Sequence, residues 1–326
     1  MPDNTLNKRR LGKSNFEVTE IGIGLWAIGG NEWGPVDDKN SLDTIEAALE
    51  AGITFFDTAD VYGMGHSERL LGRAMKGRRE EFFVGTKIGW VGYNREVEKS
   101  AYDSTEMLIA GVESNLKRLD TDYIDLIQCH IHIREPNTEY FIEGFQKLQV
   151  AGKVRAYGVS SSNFDFIKDF NADGGTAALQ IDYSILNRTA EEEIFPYCQE
   201  HDIGVIVRGP LAMGILTGKF TPDTRFPEGD FRRNWHDNLD ENQVFLEDLK
   251  KVDQLREITG DKSLSQLALQ FVLSNPIVTT VIPGAKTVDQ LRQNVEVGGL
   301  PPLSKQVLSQ INEIVPKGGG RKIWPA

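Results

Sequence analysis

Four side chains that can move protons stand just beyond successive apolar runs of this chain. Asp57 follows ITFF, with Tyr62 five residues on; Lys87 follows FFVGT; His130 follows YIDLIQC. An acid, a phenol, an amine and an imidazole at neighbouring strand ends would share one rim. Together they support carbonyl reduction. Hydride arriving at a carbonyl carbon leaves an alkoxide, which needs a proton. Tyr62 can supply it, although a free phenol has a pKa of about 10. A neighbouring Lys87 ammonium would stabilise the phenolate and lower that pKa. Asp57 would keep Lys87 charged and in place, and His130 could hydrogen-bond the carbonyl oxygen. Singly, each residue also has a structural role open to it. Asp57 can cap the turn before Tyr62, Tyr62 can be a rim aromatic, Lys87 a solvated charge and His130 a satisfied core histidine.

The elements that would position these groups form an alternation. Apolar, β-branched or aromatic runs occur at 21–25, 53–56, 82–86, 123–129, 155–159, 177–181, 204–207 and 278–282. Helical stripes fill gaps between them. Ser41 is placed to N-cap a helix with Leu42, Ile45, Ala48 and Leu49 on one face, ended by Gly52. Leu108, Val112, Leu116 and Leu119 make a second stripe, and Phe141, Phe145 and Leu148, ended by Gly152, a third. Asp240 precedes a run with Phe245, Leu249, Val252 and Leu255, and Ser263 opens a helix that stops at Asn275-Pro276. Thr287-x-x-Gln290 reads as a capping box. Eight strand-helix units predict a parallel sheet closed into a (β/α)8 barrel, a TIM barrel, with residues 1–326 as one domain. A turn at Gly12–Asn15 predicts an N-terminal β-hairpin across the barrel bottom. The polar loop 217–242, after the seventh strand, is long enough to be functional.

Composition narrows the class. The chain has 326 residues, 36 basic against 48 acidic, for a net charge of −12. That balance argues against a nucleic-acid binder, which neutralises phosphates with Lys and Arg. It leaves room for a local basic pocket. Two cysteines, Cys129 and Cys198, make no disulfide framework and suit a reducing compartment. No apolar run approaches the ~20 residues of a membrane helix, and MPDNTLNKRR has no apolar signal core. The expectation is a soluble, cytoplasmic protein without a membrane partner, with homo-oligomerisation open.

Other motifs are set aside. Gly22-x-Gly24-x-x-Ala27 matches a dinucleotide fingerprint, but Gly29, Gly30, Gly34 and Pro35 follow where a helix would have to open. There is no phosphate-binding G-x-x-x-x-G-K-[ST] loop and no G-x-S-x-G elbow. His130-x-His132 would face one side of a strand, a spacing open to a metal pair. Only His66, His201 and His236 remain as further histidines, and no metal is expected. Cys129 reads as a buried small hydrophobe.

DTADVYGMGHSERLLG, FFVGTK, YIDLIQCH, GVSSSNF, ALQIDYSILNR, GPLAMGILTGKF and VIPGAKTVDQLRQN, spread in order over nearly the whole chain, resemble the aldo-keto reductases. The likeness is in particular to bacterial-type members with the GPLA-x-G-x-L-TGK loop, including those related to potassium channel β subunits. It implies a (β/α)8 barrel, NADP(H), and an Asp-Tyr-Lys-His tetrad falling on Asp57, Tyr62, Lys87 and His130. It also implies cofactor contacts at the first strand end (Gly24, Leu25, Trp26) and at Asp57. The nicotinamide carboxamide would meet Ser160, Gln180 and either Ser161 or Asn163. Many relatives stack a planar group on the nicotinamide after strand seven. Arg208 stands there, able to stack or to pair with a rim carboxylate. Gly209, Pro210, Leu211, Ala212, Gly214, Leu216 and Lys219 form the loop whose backbone N–H groups can meet a pyrophosphate. Pro283, Gly284, Ala285 and Lys286 lead into the helix capped by Thr287, a site suited to the 2′-phosphate, with Gln290 and Asn294 at adenosine-side positions.

Trp26, Trp33, Trp90, Tyr93 and Trp235 lie in or near rim loops. They would favour a planar or apolar aldehyde or ketone, or simply cover the barrel ends. His132 would face the substrate if strand four extends. Arg232 and Arg233 would close over the cofactor, engage an acidic substrate or be solvated. The expected activity is NADPH-dependent reduction of a carbonyl, reversible on an alcohol. A redox-sensing regulatory subunit on the same fold is the alternative.

Overall fold

The computed structural model describes residues 6–322 apart from 31, 32, 35, 95, 98 and 135, so MPDNT and Pro35 of the sequence reading lie outside it. A hairpin of β1 (Lys8–Arg10) and β2 (Glu17–Thr19) opens the chain. Eight parallel strands follow: β3 (Ile23–Gly24), β4 (Phe55–Asp57), β5 (Phe83–Ile88), β6 (Ile124–Cys129), β7 (Val154–Ser160), β8 (Ala178–Asp182), β9 (Gly204–Arg208) and β10 (Val278–Val281). Each pairs with its chain neighbour. Bridges Ile21–Val281 and Gly24–Gly284 bring the last strand back to the first, so the sheet closes into the predicted barrel.

Helices cover the outside: α1 (Asp38–Glu50), α2 (His66–Met75), α3 (Thr105–Leu119), α4 (Asn137–Val150), α5 (Phe164–Phe170), α6 (Ile194–Glu200), α7 (Asn234–Asp237), α8 (Leu239–Arg256), α9 (Leu264–Leu273), α10 (Val288–Val295) and α11 (Lys305–Ile314). The expected stripes on α1, α3, α4 and α8 supply buried residues to the layer between sheet and helices. One cap differs. Asp37, not Ser41, N-caps α1, accepting from Asn40 N at 2.9 Å, while Ser41 sits inside the helix with its hydroxyl on the Asp37 carbonyl. Ser263 and Gln266 form a complete capping box on α9. Thr287 caps α10, but the Gln290 side chain reaches back to Lys286 N at 2.8 Å, so that box stays half-formed. The loop 217–242 is not featureless. It carries a 3-10 turn at Phe231–Arg233 and the short α7.

Alternation along the strands stratifies the barrel interior, because every second residue points inward. Phe55, Phe83, Leu126, Ala156, Ala178 and Ile206 pack an apolar lower layer with Leu11 and Val18 of the hairpin segment. Two residues further on, the same strands carry Asp57, Gly85, Gln128, Gly158 and Gln180, with Lys87 two beyond Gly85. Bulk below and polar groups above follow from a period of two. At the bottom, Gly12 has φ +50, and a Cβ there would lie 2.4 Å from Gly204 N. The hairpin turn therefore presses directly on the start of β9.

Candidate functional site

Lys87 is the centre of the polar layer. Its side chain is completely buried, and Nζ donates to Asp57 Oδ2 at 2.6 Å, to the Thr58 carbonyl at 2.8 Å and to the Tyr62 hydroxyl at 3.1 Å. The other Asp57 oxygen accepts from Gln180 Nε2 at 2.7 Å. Burial alone would lower the Lys87 pKa. The Asp57 carboxylate and the Tyr62 oxygen outweigh it and hold the group above the ordinary lysine value. The ammonium thus keeps its proton.

Tyr62 departs from the sequence reading in one respect. Burial raises its pKa, and Lys87, which pulls the other way, does not win. The phenol is therefore a firmly protonated donor rather than one with a lowered pKa. Its ring stacks on Trp26 at 6.0 Å between centroids and stands edge-on to His130 at 6.2 Å. Gly63, next in the turn, has φ +58, and a Cβ there would sit 2.0 Å from the Gly29 carbonyl oxygen. Only glycine lets the Tyr62 turn approach the loop after β3 so closely.

His130 follows β6 and is tied by its N–H to the Ile88 carbonyl at 2.9 Å. Burial, then the charges of Lys87 and Arg208, push its pKa well below 6.5. The imidazole is neutral and can donate one hydrogen bond without carrying charge. Among the described residues its buried Nδ1 has no partner.

Asp57, Tyr62 and His130 line a cavity of about 730 Å³, with Lys87 buried behind them. Of the residues expected at the cofactor, Gly24, Trp26, Gln180, Arg208, Gly209, Pro210, Leu211, Gly214, Lys219, Pro283, Gly284, Lys286, Gln290 and Asn294 line it. Leu25, Ala212, Leu216 and Ala285 do not, because their side chains are buried in the core. Ser160 and Ser161 are also buried and off the cavity wall. Asn163 is engaged elsewhere, capping α5 by accepting from Phe166 N at 3.2 Å. Arg208 donates to Ser162 Oγ at 3.3 Å. In the loop after β9, Ala212 and Met213 both take positive φ (50° and 53°), strained values for residues with a Cβ.

Trp26, Trp33, Trp90, Tyr93 and His132 line the cavity too. Trp235 does not. It is buried against Phe226 and Phe245. Arg232 reaches the wall, held by Asp230 at 2.6 and 2.9 Å and lying over the Trp33 and Phe226 rings. Arg233 points to Asp237 on the surface instead. Lys286 Nζ donates to the Trp33 carbonyl, and its pKa is lowered by burial and then by Arg232. Cys129 is buried, with its thiol pushed up to about 12, and is inert as a nucleophile. Sequence reasoning missed Thr58, whose carbonyl serves Lys87, and Gln128, buried beside Gln180 with its Nε2 unpartnered among the described residues. The strand alternation was the signal for Gln128.

Residues 20–316 match the aldo/keto reductase family. The chain belongs to that family. It is 36% identical over 307 residues to the aldo-keto reductase YhdN of Bacillus subtilis, covering 93% of this chain and 91% of that one. It is 29% identical to a probable voltage-gated potassium channel subunit beta of rice, Oryza sativa subsp. japonica, over 94% of this chain and 96% of the relative. Among solved structures it is similar to the holo form of the aldo-keto reductase AKR11C1 of Bacillus halodurans, at 32% identity and TM-score 0.79, covering 97% and 98% of the two chains. No helix among the described residues is long and apolar enough to cross a membrane.

Proposed function

We propose that the chain is a single-domain, NADPH-dependent carbonyl reductase, reversible on an alcohol, in which Tyr62 delivers the proton. The observation that carries this reading is the buried Lys87 ammonium held between Asp57 and the Tyr62 hydroxyl at the cavity floor. When bound, the reduced nicotinamide supplies the hydride that adds to the carbonyl carbon. The chain's own groups handle everything else. His130, neutral and facing the cavity, donates to the carbonyl oxygen and orients it. The Tyr62 O–H passes its proton to that oxygen as negative charge develops, and its O–H bond breaks as the alcohol O–H forms. Lys87 stabilises the phenolate left behind, and Asp57 balances the ammonium. The aromatic side chains of Trp26, Trp90 and Tyr93 keep that end of the cavity apolar, which suits an aldehyde or ketone with a planar or apolar body.

The residues present fit the cofactor. Burial and then the Arg232 charge lower the Lys286 pKa, and a phosphate dianion beside the two cations would relieve their repulsion. This favours NADPH over NADH. The turn Gly209–Lys219 lines the cavity through Gly209, Pro210, Leu211, Gly214 and Lys219 and would lie beside the pyrophosphate. Gln180 would have to share its amide between Asp57 and the carboxamide.

The test follows NADPH oxidation over a panel of aldehydes and ketones with wild type and Tyr62→Phe. Loss of the general acid should lower kcat by about 10²–10⁴-fold with NADPH still bound. Full activity in Tyr62→Phe would overturn the assignment. Tight NADPH binding with no turnover by the wild type would move weight to a regulatory subunit.

A further inference from the structure

The turn that carries Tyr62 is held to the strand that carries Lys87 by a residue outside the tetrad. Asp60 donates its backbone N–H to the Lys87 carbonyl at 3.1 Å. Its carboxyl Oδ2 accepts from Gly89 N at 3.2 Å. The two bonds flank Ile88, one on the Lys87 carbonyl and one on the Gly89 N–H, so residue 60 continues the pairing of the sheet beyond the end of β4. Tyr62 lies two residues on, and its own N–H returns to the Ala59 carbonyl at 3.2 Å. The distance from the phenol to Lys87 is thus set by a short span whose anchor is Asp60.

The anchor is deeply placed. Asp60 is buried, and its Oδ1 has no partner among the described residues. Glu68 of α2, Arg118 of α3 and Tyr102 ahead of α3 are the ionisable groups whose charges it feels or affects. Glu68 and Arg118 are paired with each other, and Glu68 also accepts from Thr86 at 2.6 Å and Asn115 at 2.8 Å. Asn115 in turn donates to the Lys87 carbonyl at 3.2 Å, the same oxygen that takes the Asp60 N–H. The polar cluster behind the sheet therefore converges on the peptide of the lysine.

We propose that Asp60 is a positioning residue for the Tyr62 acid, clamping the Tyr62 turn onto the strand end through the Lys87 carbonyl and the Gly89 N–H. This rests on Tyr62 being the proton donor. Asp60 touches neither substrate nor cavity and acts through the Tyr62–Lys87 distance.

The test compares Asp60→Ala and Asp60→Asn with wild type and Tyr62→Phe, measuring kcat and KM for one aldehyde and Kd for NADPH well below the melting temperature. Ala removes the clamp. Asn keeps an oxygen for the Gly89 N–H at nearly unchanged volume. Small misplacements of reacting groups cost rate rather than binding, so Asp60→Ala should lose about 10- to 100-fold in kcat. Its KM and NADPH Kd should stay within about twofold, and Asp60→Asn should recover kcat to within about threefold of wild type. Asp60→Ala with wild-type kcat, or Asp60→Asn as impaired as Ala, overturns the clamp. Either result beside an inactive Tyr62→Phe leaves the proton donor standing. An active Tyr62→Phe removes the donor, and the clamp with it.

Discussion

Asp57→Asn isolates the electrostatics of the buried centre. The carboxylate of Asp57 uses each oxygen as an acceptor, one from Lys87 Nζ and one from Gln180 Nε2. Asn offers one oxygen and one NH₂. If its oxygen stays on Lys87, its NH₂ faces the Gln180 NH₂, and Gln180 must turn its amide and give up its weak 3.5 Å contact to Gln128. Lys87 keeps the Thr58 carbonyl and the Tyr62 hydroxyl but loses its counter-charge. Removing one partner of a buried pair costs about 3–5 kcal/mol, and the retained hydrogen bonds favour about 3. For 326 residues the unfolding entropy is about 0.7 kcal/mol per kelvin, so Tm should drop by about 4 °C. The pH dependence has a definite sign. Without Asp57 the Lys87 pKa falls below its unfolded value, so the folded state binds fewer protons than the unfolded one and stability rises with pH between those values. The Tm gap to wild type should therefore narrow from about pH 7 to about pH 10. Circular dichroism melts of both proteins across that range make the measurement. A variant within 1 °C of wild type (about 0.7 kcal/mol) at neutral pH, or a gap that does not narrow, would refute the reasoning.

Two further outcomes are expected. Lys286→Ala should weaken NADPH by about 10-fold or more and NADH much less, since only the former brings a phosphate to the Lys286–Arg232 pair; fluorescence titration with both nucleotides decides, and equal losses would show that Lys286 does not read the 2′-phosphate. Asp60→Asn should stabilise the fold as pH rises: burial and then Glu68 raise the Asp60 carboxyl to about 7, so its stability contribution is complete below the unfolded value and is lost on the way up to 7. The Tm advantage of the Asn variant should grow from about pH 4 to about pH 7 and then level off; a constant difference would place the Asp60 titration elsewhere.

The barrel was readable because its strands are short apolar runs whose inward positions switch from bulky to polar at a fixed period. All eight runs sit within two residues of the observed strands. That Asp57, Tyr62, Lys87 and His130 come together was readable for the same reason, since strand ends lie at one rim. What local reading missed depends on partners far away in sequence. Helix α2 escaped notice because its buried face includes Glu68, a charge satisfied only by Thr86, Asn115 and Arg118. The Tyr62 pKa was misjudged because burial is tertiary, whereas the Lys87 neighbour could be inferred from strand order. The Gln290 bond to Lys286 and the aromatic seat of Arg232 likewise have no signature at fixed spacing.

The net charge of −12 bears on how such a chain would take up a polyanion. Among the described residues that line the cavity, Asp57 is the only carboxylate, and it is already tied to Lys87. Arg208, Lys219, Arg232 and Lys286 line the same space. At physiological salt, charges are screened beyond about 8 Å, so the acidic surface does not cancel a cationic pocket of that size. Attraction is confined to the mouth, and selection falls to groups in contact. Asp57, Tyr62, Lys87 and His130 sit below those cations, with the Tyr62 phenol kept neutral by burial and the Lys87 ammonium kept charged by Asp57. Arg208 connects the two regions, because its charge reaches both Tyr62 and His130. Groups that would hold an anion and groups that would deliver a proton are therefore electrostatically coupled across one cavity floor, and a negative charge bound beside Arg208 would raise both pKa values.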